Sequence, residues 1–279
     1  MTEEFQTHRS FLVGLAYRML GSVAEAEDIV QDAFLRWSTV DRASIANPRA
    51  YLARVVSRLC IDRMKSATAR REHYVGTWLP EPIVAETTEP LADDLSIALL
   101  LTLERLSPLE RAAFLLHDVF DMDYAAIADT LERSEAACRQ LAARAREHVR
   151  DKRPRFSPTD EARAKLTDAF QAALSTGDFA PFAQLLADDA VLYTDGGGKK
   201  LAALNPIYGK DKILRFFTGV AHKGGWPEIE KVEQAQINGL PGFLVHTGDG
   251  VETMAFEVVD ERIVAIYAVR NPDKLRHLA

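Results

Sequence analysis

The stretch SVAEAEDIVQDAFLRW, Ser22 to Trp37, decides how the chain is to be read. Ser22 is followed three residues later by Glu25 and preceded by Gly21, the marks of a capping box that opens one helix just after another has stopped. At 3.6 residues per turn, Ala26, Ile29, Val30, Ala33, Phe34 and Trp37 gather on one face, while Glu27, Asp28, Gln31 and Asp32 fall on the opposite one. The apolar face calls for neighbouring helices. The acidic face suits water or a basic partner.

Outward from this helix, apolar residues recur at three- and four-residue steps from Phe5 to about Tyr74. Asn47-Pro48 supplies an N-cap and a proline at the first helical position. The helix that follows, PRAYLARVVSRLCIDRMKSATARRE, turns Tyr51, Leu52, Val55, Leu59 and Cys60 inward. Arg54, Arg58, Arg63, Lys65, Arg70 and Arg71 are left available to phosphates. Residues 77–94, containing WLPEPIVAETTEP, break the pattern with Pro80, Pro82 and Pro90 and read as an extended linker.

Helical sequence resumes at Leu95, and Ser107-Pro108 with Glu110 forms a second capping set. DMDYAAIADTL reads as a short helix with Ile127, Ala128 and Leu131 inward, followed by a tight turn at Glu132-Arg133 and then SEAACRQLAARAREHVR. That is a helix-turn-helix. In its second helix Cys138, Ala142, Ala145 and Val149 face the core with Leu141 at the margin. Arg139, Gln140, Arg144 and Arg146 face outward, where Arg reads guanine, Gln can read adenine and the remaining cations neutralise phosphate.

A second break, KRPRFSPTD, marks the main boundary, after which the composition changes. Residues 159–187 and GKDKILRFFTGV read as helices, whereas AVLYT, GFLVH, TMAFEVV and RIVAIYAV alternate like strands between turn residues. Helices followed by a strand meander imply an α+β domain with helices over one face of a curved antiparallel sheet. Tyr193, Asp195, His222 and His246 could be proposed there as an acid–base set, but no reinforcing motif supports them, and surface or wall positions are the better reading.

The 279 residues suit two or three domains, and the net charge of −7 argues against a nucleic-acid partner only if read globally, since the cations lie in two clusters. Cys60 and Cys138 lack any Cys or His at ligand spacing, so buried free thiols are expected, with no metal and no cofactor. The polar start MTEEFQTHRS and the absence of a long apolar run imply no signal peptide, no membrane span and a cytoplasmic protein.

AEDIVQDAFLRW closely resembles the helix of RNA polymerase sigma-factor domain 2 that docks on the clamp helices of the polymerase's largest subunit. The resemblance implies binding to core polymerase through Glu27, Asp28, Gln31, Asp32, Phe34 and Trp37. It also makes the Pro48 helix the one for promoter melting and the downstream element, through Arg58, Arg63, Lys65, Arg70 and Arg71. Many relatives carry Asn where Arg58 aligns. The helix-turn-helix would then contact promoter DNA through Arg133, Ser134, Arg139, Gln140, Arg144 and Arg146.

Both modules in this order resemble the extracytoplasmic-function (ECF, group 4) sigma factors, which are not enzymes. WLPEP, DGGGK and NPDKL look like hallmarks of the subgroup with a fused C-terminal SnoaL-like domain, of the nuclear transport factor 2-like fold. The implied organisation is sigma domain 2 over 1–76, linker 77–94, sigma domain 4 over 95–153, and the α+β domain over 159–279. That last domain would act within the chain in place of a separate anti-sigma factor, with a pocket open to an unknown small ligand. Trp78, Leu79, Pro80, Glu81 and Pro82 would meet Asp195, Gly196, Gly197, Gly198 and Lys199 and the tail Asn271, Pro272, Asp273, Lys274 and Leu275, with Lys199 and Lys274 able to reach Glu81. Two other readings stay open: a ligand-sensing helix-turn-helix regulator, and a cyclase-like enzyme with a DNA-binding appendage.

Overall fold

The computed structural model describes residues 3–41, 43, 45–71, 74–84, 96–149, 160–222 and 228–278. The side chains of Arg70, Arg71 and His222, linker residues 85–94 and the boundary stretch 152–159 lie outside the described residues. The described residues form two compact units, one holding residues 3–71 and 98–149, the other 74–84, 96–97 and 160–278.

The first unit is all helical. α1 (Glu3–Leu20), α2 (Val23–Thr39) and α3 (Pro48–Arg71) precede α4 (Ile97–Leu103), α5 (Pro108–Phe114), α6 (Tyr124–Leu131) and α7 (Glu135–Val149). Local chemistry sets the helix starts. Ser22 Oγ accepts from the Glu25 amide, Asn47 Oδ1 from Ala50, and Asp123 Oδ1 from Ala126. Ser107 and Glu110 form the reciprocal capping box, a device that satisfies two otherwise unpaired helix donors. A single π turn, Leu115–Val119, follows α5, and Glu132 takes the left-handed conformation (φ 53°) that ends α6 and makes the helix-turn-helix corner.

α3 is buried more broadly than its inward stripe predicts: Ala53, Val56, Ser57, Ile61 and Met64 join Leu52, Val55 and Cys60. It packs on α1 and α2 and also on α5 and α6, so both flanks are covered. Arg111 is buried at the same seam, its guanidinium donating to the Met19 carbonyl and to Glu104 at 2.8 Å. Burial alone would leave that cation costly. Its two partners offset only part of the desolvation, which still lowers the guanidinium pKa to about 9. Thr130, not Ala128, completes the buried face of α6 with Ile127 and Leu131.

The second unit packs α8 (Asp160–Thr176), α9 (Ala180–Leu185) and α10 (Lys210–His222) with six strands: β1 (Leu186–Asp195), β2 (Ile207–Tyr208), β3 (Ile229–Ile237), β4 (Leu240–Thr247), β5 (Gly250–Val259) and β6 (Arg262–Val269). Their order is β2-β1-β6-β5-β4-β3. The sheet is mixed, because β1 runs parallel to β6 while the other pairs are antiparallel. This corrects the expected antiparallel meander. The crossover between β1 and β6 is long enough to hold β2, α10 and the β3–β5 meander, as a parallel pairing requires. β3 was not foreseen, since IEKVEQAQI carries little apolar alternation.

Ala190 and Leu192 of β1, Phe243 and Val245 of β4, Met254 and Phe256 of β5, and Ile266 and Ala268 of β6 share the core with Leu166, Ala169, Phe170 and Ala173 of α8. Phe170 stacks on Phe243 with ring centroids 4.4 Å apart. The strand period then sends Tyr193, Asp195, His246 and Tyr267 to the opposite face.

Candidate functional site

The second unit contains residues 74–84 as an integral part. Leu79 to Val84 are buried, and the segment runs from the end of β1 to the β3–β4 turn. At the first end Asp195, with no exposed surface, is the hub. Its Oδ1 accepts the Tyr74 hydroxyl and the Gly197 amide (3.1 Å), and its Oδ2 accepts the Leu79 amide (2.8 Å) and the Lys274 ammonium (2.7 Å). A carboxylate offers about four acceptor sites, and here all are used. Lys274 also donates to the Leu79 carbonyl and lies 4.2 Å from the Trp78 ring centroid and 5.0 Å from that of Tyr74. Desolvation and the neighbouring Asp195 carboxylate raise the Tyr74 hydroxyl well above its usual range.

The glycines explain themselves at this hub. Gly197 (φ +58°) would place a Cβ 2.2 Å from the Asn271 side-chain nitrogen, and Gly196 one 2.1 Å from the Lys200 carbonyl. Gly198 (φ +71°) packs against Val75. Asn271 then reaches Tyr74, its amide donating to the hydroxyl at 3.0 Å. The backbone amides of Arg270 and Asn271 both donate to the Asp195 carbonyl. Lys199 pairs with Asp273 at 2.5 Å, and together with Arg276 it holds that carboxyl below the usual carboxylate range.

At the far end, the Ile83 amide donates to Asn238 Oδ1 (3.1 Å), the Asn238 amide returns a bond to the Ile83 carbonyl (2.8 Å), and Val84 bridges Ile237. His277 Nε2 lies 2.8 Å from the Pro82 carbonyl. Sequence reading missed Tyr74, Asn238 and His277. Asn238-Gly239 reads as a hairpin turn, and Asn238 does occupy the left-handed region (φ 50°); nothing local announces that its side chain also receives a segment 155 residues away.

Tyr193, Asp195 and His246 form no acid–base set. Tyr193 stacks on Tyr267 at 5.4 Å, Asp195 is saturated, and His246 Nε2 lies 2.6 Å from Glu233. All three point away from the core side of the sheet.

In the first unit, Asp28, Gln31 and Asp32 are exposed on α2, and Leu35 at 56% exposure extends their stripe. Glu27 is half-buried and paired with Arg9, and Phe34 is half-buried with its ring 5.1 Å from Phe5. Trp37 is a correction: it is fully buried against Tyr51 and serves the core. Several cations expected on DNA are engaged within the chain. Arg58 donates to the Thr130 and Asp129 carbonyls and pairs with Glu132 at 2.8 Å, bonding the C-terminal end of α6. Arg63 lies 3.5 Å from Glu25, and Arg146, expected outward, pairs with Asp118 at 2.7 Å and Tyr124 at 3.0 Å. Arg139 pairs with Glu135 and Lys65 with Asp62, both at exposed positions. Arg133, Ser134, Gln140 and Arg144 are exposed, and Ser134 caps α7 through the Ala137 amide.

Among the described residues no group of His, Cys, Asp and Glu could hold a metal, and no helix is long and apolar enough to cross a membrane.

The chain matches the sigma-70 region 2 family over residues 5–70 and the sigma-70 region 4 family over 96–149. It is 40% identical to the ECF RNA polymerase sigma factor SigJ of Mycobacterium tuberculosis, across 97% of this chain and 92% of that one. A probable ECF sigma factor of the same organism, SigI, is 38% identical over 65% of each chain. The crystal structure of SigJ superposes with a TM-score of 0.79 at 37% identity, covering 99% of both chains. Two helical sigma modules followed by an α+β SnoaL-like domain make this chain a member of the extracytoplasmic-function RNA polymerase sigma factor family.

Proposed function

We propose that this sigma factor binds core polymerase through the α2 stripe of Asp28, Gln31, Asp32 and Leu35, reads promoter DNA with α3 and α7, and is regulated by its own SnoaL-like domain through the segment Tyr74–Val84. The burial of that segment around Asp195 carries the reading. The segment joins the two DNA-binding modules in sequence, so its docking restricts the separation they can take up on a promoter. A tether in the same chain gives a high effective concentration, and no separate anti-sigma protein is needed. Arg58 would exchange its α6 carbonyls for phosphate on DNA. Among the described candidates, Tyr193, Asp195 and His246 do not converge on one site, which supports a regulatory reading of the domain.

The test is transcription from a defined promoter by core polymerase with the full chain, Asp195→Asn, deletion after Arg270, and truncation after residue 153. Distinct outputs at equal protein levels are expected, with Asp195→Asn and the tail deletion shifted in the same direction. Identical output from all four would reject regulation by this domain while leaving the sigma assignment intact.

A further inference from the structure

Two arginines of α7, the second helix of the helix-turn-helix, are seven residues apart: Arg139 and Arg146. That is about two turns, so they share one side of the helix. Tyr124, the first residue of α6, meets both. The Arg139 guanidinium carbon lies 5.2 Å from the Tyr124 ring centroid, and Arg146 donates from Nη2 to the Tyr124 hydroxyl at 3.0 Å and from Nε to Asp118 Oδ1 at 2.7 Å. The ring packs in turn on His117, centroids 4.1 Å apart, and His117 Nδ1 is 2.9 Å from the Met122 carbonyl. His117 and Asp118 both come from the π turn, where the Phe120 amide donates to the Leu115 carbonyl five residues back. A single π turn is a departure from the α-helix that recurs at functional positions.

The two arginines are held unequally. Arg146 is 41% exposed but its partner Asp118 only 18%, and Asp118 Oδ2 is buried with no hydrogen-bond partner among the described residues. Swinging Arg146 out to a phosphate would strip a mostly buried carboxylate of its cation, a costly exchange. Arg139 pairs with Glu135 at an exposed position, a bond given up at little cost, and its contact with the Tyr124 ring does not depend on Glu135. A long side chain already ordered on a ring loses less freedom when it meets a base edge, and a planar guanidinium suits such a ring. We infer that Tyr124 is a positioning residue for promoter readout: Arg146 and Asp118 anchor its hydroxyl, its ring fixes the arrangement in which Arg139 reaches a base, and Arg146 makes no phosphate contact of its own. This role for Tyr124 rests on α7 being the DNA-reading helix proposed above.

The experiment uses the full chain with core polymerase and a duplex library randomised over the upstream promoter element, sequenced before and after binding. Arg139→Ala identifies the position that Arg139 reads, as the one whose base preference is lost. Tyr124→Leu should weaken the preference at that same position by about tenfold, within the range of one good base contact, and leave the other positions as in the parent chain. Tyr124→Phe, which keeps the ring, should restore most of it, and Tyr124→Leu combined with Arg139→Ala should discriminate no worse than Arg139→Ala alone. Arg146 is tested by Arg146→Met together with Asp118→Asn, a pair of changes that keeps the net charge and strands no ion. Its log affinity against log salt should keep the parent slope, whereas loss of a phosphate contact would lower the slope by about one. A uniform loss over all positions in Tyr124→Leu, or no loss at the Arg139 position, overturns the positioning role. A slope shallower by about one overturns the assignment of Arg146. Unchanged base preferences in Arg139→Ala reject base reading by Arg139 itself, and the positioning role with it.

Discussion

Both units carry exposed ion pairs and a buried one, Arg111–Glu104 in the helical unit and Asp195–Lys274 in the other, but the pairs expected to meet DNA and the pair that holds the docked segment handle charge in opposite ways. In the helical unit most ion pairs are exposed and separate: Arg58 with Glu132 at 41% and 73% exposure, Arg139 with Glu135 at 56% and 46%. In the α+β unit, Asp195 and Lys274 are 0% and 9% exposed and share one network with Tyr74, Leu79, Gly197 and, through Tyr74, Asn271. Exposed pairs contribute about 0–1 kcal/mol and can be traded for another partner at little cost. A buried network is close to all-or-none, because removing one member leaves the others desolvated and unpaired. On the proposed reading, the exposed cations of the helical unit would exchange readily with phosphate, whereas the buried network of the α+β unit would hold its segment as a unit.

The contrast is broken most severely by Asp195→Ala, which strands Lys274 and the Leu79 amide. We expect a loss of about 3–5 kcal/mol in the stability of that unit, read by chemical denaturation. A loss below 1 kcal/mol would mean that the hub is no stronger than a surface pair. Gly197→Ala is next. Its left-handed φ and the close Asn271 side chain predict about 1–3 kcal/mol in the same assay, together with faster exchange at Leu79.

On the helical side, Arg58→Ala should change stability by no more than about 1 kcal/mol yet weaken promoter binding and flatten its salt dependence. Strong destabilisation with unaltered DNA binding would instead make Arg58 a seam residue only. The smallest effect is that of pH on Asp273. Lys199 and Arg276 lower its folded pKa, so its contribution is present above the unfolded carboxyl value and lost as pH falls through the lower folded one. Asp273→Asn should therefore be slightly less stable than the parent at neutral pH and equal to it in acid. A difference that persists in acid would assign its role to something other than the carboxylate.

Legibility in the sequence followed the range of the interaction. Asn47-Pro48 and the Ser107 capping box act within four residues, and the α7 stripe of Cys138, Ala142, Ala145 and Val149 within a few turns. All are observed where the pattern places them. The motif strings WLPEP, DGGGK and NPDKL named segments expected to meet, with Lys199 and Lys274 reaching Glu81, whereas the contacts of Asp195 and Lys274 with the Leu79 backbone came only from the fold. Tyr74 and Asp195 are 121 residues apart, and Arg58 and Thr130 are 72 apart. No local periodicity encodes either meeting. β3 escaped for a different reason: on this edge strand much of each face is open to solvent, so IEKVEQAQI carries little of the alternation that marks half-buried strands.

The docked segment and the surface that holds it are translated together, one copy of each in every molecule. Under the proposed regulation, stronger expression would raise held and released forms in the same proportion, with no separate inhibitor to be overrun. A cell using this factor would then be unable to raise the released fraction by making more of it. Only a change in the equilibrium at Asp195 would do that, so the response would be set by the occupancy of a contact and insulated from fluctuations in copy number.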